Sequence, residues 1–599
     1  YLDMCDTEFT IDQGKLWMLQ TRVGKRTGVA ALQMAVDMVR PNDLGISRAE
    51  SVSRITEDHL DSVLHPQFAG SGYAVWAKGL GASPGAAVGR IYFTADDAAA
   101  AAERGEKVVL VRSETSPEDV HGMLASEGIL TARGGLVSHA AVVARGWGKP
   151  AVVGAEALRL TDHSVTVGDS TLGEGDWVSL DGGAGIVVAG QVPLTAASPP
   201  PAFATVLSWA DDIRAGHLAV RANADTGEDA DNARSLGAEG IGLCRTEHMF
   251  LGEDRLPVVR RMILADSPDE ETAALEELRQ VQREDFISIL TAMDGLPVTV
   301  RLLDPPLHEF LPSTEEMAVK DATVGLTPEE RRLYDAALSW KEANPMLGTR
   351  GVRLGVVKPG LYAMQVRALM EAARQRVVDG GHPIVEIMVP LTVSREELAL
   401  ARSWVEEAVA DVTAEKAPRP SKGVTAAKGP SRGKLEVTIG TMIETPRAAL
   451  LAGEIAEVAD FFSFGTNDLT QMTFGFSRDD VEGRMMSAYL DLGLLARNPF
   501  DVVDADGVGE LVRLGTERGR ATRPSLKVGV CGEHGGEPES IAMFYRAGLD
   551  YVSCSPFRVP VARLAAAQAV MAGEAVVAGP IAGAGSKSSE KSRKAAKAS

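Results

Sequence analysis

The sequence predicts an α/β multidomain protein that ends in an (α/β)8 TIM barrel, and three observations carry that prediction. Eight short apolar runs recur between helical patterns over about 350 residues beyond position 217, as buried parallel barrel strands do. Ahead of them, from 78 to 190, apolar runs of three to seven residues alternate with glycine-rich turns, the signature of a compact β-rich domain. Between the two lies Ala196-Ala197-Ser198-Pro199-Pro200-Pro201, whose composition reads as semi-rigid linker.

Taken in order, residues 1–25 open on a strand pair, Glu8–Ile11 and Leu16–Leu19, around the turn Asp12-Gln13-Gly14. Because the chain starts at Tyr1 inside this pair, an N-terminal part is expected to be missing. Residues 26–77 carry apolar positions at helical spacing, as in Ala30–Val39, and read as a helical connector. The β-rich domain draws its strands from 87–93, 108–111, 128–131, 151–153, 177–180 and 185–188, and a linker covers 191–216. Barrel strands are expected at 218–222, 240–244, 297–303, 384–389, 436–442, 460–464, 527–531 and 550–553, within a barrel spanning 217–572. Two stretches read as unstructured: the Pro-, Gly- and Lys-rich insertion 415–434 and the tail 573–599.

Composition narrows the function. With 599 residues, 45% hydrophobic and 24% charged, the chain supports several cores and is too apolar for disorder. A net charge of -21 argues against nucleic acid or an anionic membrane as partner, and no run approaches the length of a membrane span. Four scattered cysteines, Cys5, Cys244, Cys531 and Cys554, read as reduced thiols and, with no secretory leader, as a cytoplasmic protein.

Barrel enzymes act at the C-terminal strand ends, which makes a geometric test possible. The polar residues there are Arg245, Arg301, Glu444, Asn467, Asp468 and Cys531, and they should converge. Glu444 and Asp468 offer hard oxygen ligands suited to Mg2+. Arg245 and Arg301 present planar forks for a carboxylate and a phosphoryl group, with Asp304 placed to hold Arg301. Asn467 can donate to substrate oxygen, and Gly465 and Thr466 bring backbone and hydroxyl close. The sharpest local string is Thr131-Ala132-Arg133-Gly134-Gly135-Leu136-Val137-Ser138-His139-Ala140-Ala141. It sets His139 at a helix N-terminus, where backbone N–H groups favour an anion such as a phosphorylated imidazole.

That string resembles the phosphohistidine signature of the phosphoenolpyruvate-utilising enzymes. The barrel strings LCRTEHMF (243–250), VRLLDPPLHEF (300–310), GTMIE (440–444), SFGTNDLTQ (463–471) and CGEHGG (531–536) match the same family, and the resemblance covers nearly all of residues 1–570. It implies that 78–190 is a β/β/α swivelling domain, that His139 carries the phosphoryl group between distant sites, and that Cys531 is the proton donor to the enolate carbon. It also implies that Mg2+ at Glu444 and Asp468 assists pyruvate and phosphoenolpyruvate, and that the assembly is a homodimer.

The strings LCRTEHMF and CGEHGG, and QTRVGKRT (20–27), resemble the family's dikinase branch more than its synthase or sugar-phosphotransferase branches. That implies a phosphotransferase with paired acceptors, interconverting ATP, phosphate and pyruvate with AMP, diphosphate and phosphoenolpyruvate. Residues 1–25 resemble the last hairpin of an ATP-grasp domain, with Glu8, Gln20 and Arg22 implied to contact nucleotide and metal. This chain would then run only the phosphoenolpyruvate/pyruvate half-reaction; a reading from another class is a phosphocarrier or binding module without turnover. Two positions depart from the family: Val137, where members commonly carry a threonine phosphorylated by a regulatory kinase, and Thr349, where histidine is usual.

Overall fold

The computed structural model describes residues 3–24, 26–39, 45–70, 72–116, 119–135, 138–252, 255–265, 267–416, 418–421 and 435–578. Val137, most of the expected insertion 415–434 and the tail beyond 578 lie outside these residues.

Eight parallel strands close into a barrel: Ala219–Asn223, Ile241–Arg245, Pro297–Arg301, Ile384–Val389, Glu436–Ile443, Phe461–Phe464, Lys527–Val530 and Tyr551–Cys554. The expected eight runs coincide with these within one or two residues, because a strand covered on both faces is apolar along most of its length. Closure comes from Ala219–Ala222 pairing with Tyr551–Cys554. Helices such as Pro268–Ala292, Pro359–Val378 and Arg395–Ala414 form the outer ring, and the main core lies between them and the strands. Inside the barrel, Leu243, Met388, Met442, Phe461 and Cys531 form a small packed cluster. Toward the N-terminal strand ends the interior holds charge instead. There Arg221 pairs with Glu386 at 2.8 Å and stacks 4.1 Å from the Tyr551 ring centre, and Lys527 also reaches Glu386.

The second domain is built on an eight-stranded mixed sheet. Its centre is the parallel run Ala86–Tyr92, Val108–Arg112, Gly128–Thr131 and Ala151–Val153, joined by the helices Ala95–Glu103, Val120–Ala125 and His139–Gly146. Antiparallel strands Trp177–Asp181 and Ile186–Ala189 extend one side, and Leu80–Ser83 the other. One face packs on the helices through Ala98, Met123, Ala140, Ala141 and Ala144. The opposite face packs on a small sheet of Arg159–Leu160, Ser164–Val167 and Ser170–Gly173 through Leu158, Leu160, Val165 and Leu172. The result is a β/β/α layering.

The expected linker 191–216 needs correction, since Pro201–Arg214 is a helix whose Val206, Leu207 and Ala210 are buried. Pro201 stands at the first helical position, where a missing N–H costs nothing and the fixed φ is already helical. The proline run thus starts a helix rather than spacing two domains. With the connector helices Gly28–Val39, Arg48–Ser53 and Glu57–Leu64 it packs on Val561, Leu564 and Ala567 of the last helix. That last helix, Val559–Ala578, also runs six residues into the expected tail, since Gly573–Ala578 continues its alanine- and valine-rich pattern.

The opening strands are Cys5–Asp12 and Lys15–Val23, joined through Gln13 and Gly14 at φ 50 and 75. Both signs are positive, as a two-residue hairpin turn requires. Phe9, Ile11, Leu16, Trp17, Met18 and Leu19 are all exposed on this ribbon.

Candidate active site

At the C-terminal end of the barrel, charged side chains share a buried cluster. Arg301 ends its strand with only 8% of its surface exposed and is gripped by Glu247 and, at 3.0 Å, by Asp304. Asp304, 3% exposed, also accepts from Arg350 at 2.5 and 3.2 Å. Arg350 continues to Asp468 at 3.0 and 3.3 Å, in the first turn of the helix Thr466–Phe474. Burial opposes the charge of each arginine, but the facing carboxylates outweigh it and hold Arg301 and Arg350 firmly protonated. The same arginines keep Asp304 ionised against its own burial.

Glu444 is fully buried beyond the strand Glu436–Ile443. Its Oε1 accepts from the Leu391 backbone N–H at 2.5 Å, while Oε2 has no hydrogen-bond partner. Leu391 aims that N–H from φ 57, a left-handed conformation rare for a branched side chain. Gly465 lies underneath, and a Cβ there would come within 2.8 Å of Glu444 Oε2. Burial, with the charges of Asp468 and Asp304, drives the Glu444 carboxyl well above its ordinary range.

The Cys531 thiol, 2% exposed, lies among barrel-interior side chains with Sγ 3.8 Å from the Phe464 carbonyl. Burial pushes it up to about 11, against the pull of the Ser463 hydroxyl and the Arg301 charge, so it is a protonated thiol at neutral pH. The turn after it is stitched to the neighbouring strand end. Glu533 N–H donates to Asn467 Oδ1 at 3.1 Å, and His534 bonds Thr466 Oγ1 at 2.8 Å and the Pro499 carbonyl at 2.9 Å. Since a carbonyl only accepts, His534 Nε2 carries the hydrogen and Nδ1 accepts from the threonine. Gly532 is required here, because a Cβ would come 2.0 Å from Thr466 Oγ1.

The structure therefore gathers Arg301, Asp304, Glu444, Asp468 and Cys531 at one mouth, with Gly465 beneath Glu444 and Thr466 and Asn467 framing the cysteine turn. Beside them opens a cavity of about 540 Å3 lined by Glu247, Arg301, Asp304, Glu309 and Arg350, among others. Arg245 ends its own strand close enough for its charge to act on the Cys531 thiol. Its backbone N–H bonds Asp225 at 2.6 Å and its guanidinium lies 3.6 Å from the same carboxylate, which His248 also contacts at 2.8 Å. Cys244 and Cys554 are buried thiols, as expected of core cysteines.

Sequence reasoning missed Arg350, Glu247, Leu391 and His534. Arg350 adjoins Thr349, whose backbone N–H donates to Glu342 at 2.6 Å; nothing in the structure explains the threonine itself.

His139 begins its helix after the N-cap Ser138, as the string suggests. Its Nδ1 lies 2.9 Å from Thr115 Oγ1 on the adjoining loop. Gly134 takes φ 103 and packs so closely that a Cβ would lie 2.8 Å from Ser138. On the N-terminal ribbon, Glu8 pairs opposite Gln20, and Arg22 follows two positions on, so all three share one exposed face; Arg22 lies 3.4 Å from Asp6.

Comparison with known proteins decides the family. A model of the PEP-utilising enzyme, PEP-binding domain matches residues 202–571, and one of the PEP-utilising enzyme, mobile domain matches 104–185. The chain belongs to the PEP-utilising enzymes. Among curated relatives, pyruvate, phosphate dikinase 1, chloroplastic, of Arabidopsis thaliana is 52% identical over 96% of this chain and 58% of its own length. The chloroplastic pyruvate, phosphate dikinase of Mesembryanthemum crystallinum is 53% identical over 95% and 59%, and dikinase 1 of Oryza sativa subsp. japonica, also chloroplastic, 54% over 95% and 59%. The chain thus spans just under three-fifths of the length of these relatives. Their names overturn the cytoplasmic expectation. Reduced cysteines and an acidic composition do not separate the cytoplasm from another reducing compartment.

Proposed function

We propose that this chain carries the phosphoenolpyruvate half-reaction of a pyruvate, phosphate dikinase. The observation that carries the proposal is the fully buried Glu444 with one free oxygen, set among Arg301, Arg350, Asp304 and Asp468 at the barrel mouth beside a protonated Cys531.

These residues fit a divalent cation. The buried Glu444 Oε2, without a hydrogen-bond partner above the bare Gly465, leaves an oxygen unused within the fold, and Asp468 supplies a second carboxylate. Among the described residues no group of three or more His, Cys, Asp or Glu side chains is placed to hold a metal. Two carboxylates suit Mg2+, which keeps water and substrate oxygens in its shell. Held by Glu444 and Asp468, Mg2+ would neutralise charge on the enolate oxygen.

In this reading Arg301 and Arg350, fixed by Asp304, bind the carboxylate and phosphoryl groups, and Arg245 and Asn467 complete the grip. His139 takes the phosphoryl group from phosphoenolpyruvate: the enol P–O bond breaks and an N–P bond forms on the imidazole nitrogen. The pyruvate enolate left behind takes the Cys531 Sγ proton at its methylene carbon, leaving a thiolate that solvent reprotonates on release. In the longer protein Glu8, Gln20 and Arg22 would serve the ATP and phosphate half-reaction, and the assembly is a homodimer.

The test is incubation with 32P-phosphoenolpyruvate and Mg2+. Acid-labile label and pyruvate should appear together, and His139→Ala should abolish both. Cys531→Ala should suppress net pyruvate formation while the barrel stays folded. No label in a folded chain would sink the proposal.

A further inference from the structure

Among the described residues, the far end of the His139 helix meets the barrel at Arg145 and Gly148. Arg145 Nη2 lies 3.5 Å from Asp501 Oδ1, with both side chains about a third exposed. Gly148, just past the helix at φ 63, lies flat against the ring of Phe557, so that a Cβ there would come within 2.9 Å of it. Phe557 is itself 39% exposed in the turn Pro556–Arg558.

Both contact points are braced to the turn that follows Cys531. Asp501 stands two residues from Pro499, whose carbonyl accepts from His534. Arg558, next to Phe557, donates to the Gly536 carbonyl at 2.9 and 3.3 Å, and its other nitrogen pairs with Glu57 at 2.6 Å and lies 3.6 Å from Asp61 of the connector.

We propose that Asp501 and Phe557 form the seat on which the phosphohistidine domain docks for transfer, received by Arg145 and the bare backbone of Gly148. The proposal rests on the transfer reading above. The contacts described suit a carrier that must arrive and leave: a partly exposed ion pair, worth about 0.2–1 kcal/mol, and a ring face on a glycine. Its placement suits the chemistry, because the seat and the Cys531 turn are one connected piece. The seat thereby links the carrier's helix to the turn that follows Cys531, and small misplacement of a reacting group is costly.

The experiment uses the whole chain with Arg145→Glu, Phe557→Ala and the two combined, against the conservative Arg145→Lys and Phe557→Tyr. Two quantities are read: the single-turnover rate of His139 labelling from 32P-phosphoenolpyruvate with its half-saturating concentration, and hydrogen exchange at the amides of 147–149 and 555–558. The disruptive variants should slow labelling about tenfold at saturating phosphoenolpyruvate, leave half-saturation within about twofold, and speed exchange in both segments. The conservative variants should behave as the parent. An unchanged rate and unchanged exchange in the combined variant would overturn the seat, as would a loss confined to half-saturation. If the parent does not label, the transfer reading falls and the seat with it; a parent that labels, with unchanged rate and exchange in the combined variant, overturns the seat alone.

Discussion

The barrel mouth and the phosphohistidine turn serve one reaction with opposite construction. At the mouth, Arg301, Asp304, Arg350 and Asp468 form a continuous chain of ion pairs beside Glu444, nearly all out of contact with water. At the turn, His139 is half-buried at the start of an eight-residue helix, with the Thr115 hydroxyl on Nδ1. Charge that must meet a developing enolate works best when fixed beforehand in a dry site. A group that travels must keep its reacting nitrogen accessible. The difference teaches that stability and reactivity are separated here, with the mouth held by a network of buried ion pairs and the carrier imidazole met by the Thr115 hydroxyl.

The sharpest way to break that contrast is Asp304→Ala, which leaves Arg301 and Arg350 short of a buried partner. The barrel's unfolding transition should lose about 3–5 kcal/mol by denaturant titration; a loss below 1 kcal/mol would mean the cluster is far wetter than its burial indicates.

Next comes pH. His534 is buried and neutral, its pKa lowered to about 4 by desolvation. The unfolded chain, near 6.5, binds the proton that the folded chain refuses, so stability is fully present above 6.5 and declines as pH falls toward 4. The span is worth about 3 kcal/mol. His534→Gln should flatten the slope between pH 6.5 and 4, and equal slopes in both proteins would refute the assignment.

Smaller still is Thr115→Val, which removes the partner of His139 Nδ1. It should cost about 1 kcal/mol in the β/β/α domain and slow labelling a few-fold by releasing the ring. Of similar size, His139→Ala removes the same hydrogen bond and should cost about 1 kcal/mol while abolishing label. A large stability loss there would erase the separation between the two regions.

The barrel was legible because its strands are short, mostly apolar and set between helical patterns, as at Ile384–Val389 and Phe461–Phe464. Convergence of Arg301, Glu444, Asp468 and Cys531 followed from strand ends alone. What sequence could not show depends on contacts far apart in the chain. Arg350 lies in an irregular loop and acquires its role only by bridging Asp304 and Asp468, 46 and 118 positions away. Leu391 matters through its backbone N–H and a positive φ, neither of which a side-chain pattern encodes. The helix Pro201–Arg214 was masked by its prolines, which mark a helix start as readily as a linker.

The N-terminal ribbon has a practical consequence. Two strands with no third have little stability of their own, and this pair carries Phe9, Ile11, Trp17 and Leu19 at 47–65% exposure. Such a surface is adhesive: as concentration rises, copies should begin to cluster through residues 5–23 and scatter light well before the barrel unfolds. The solubility ceiling of this chain is therefore set by its first two strands.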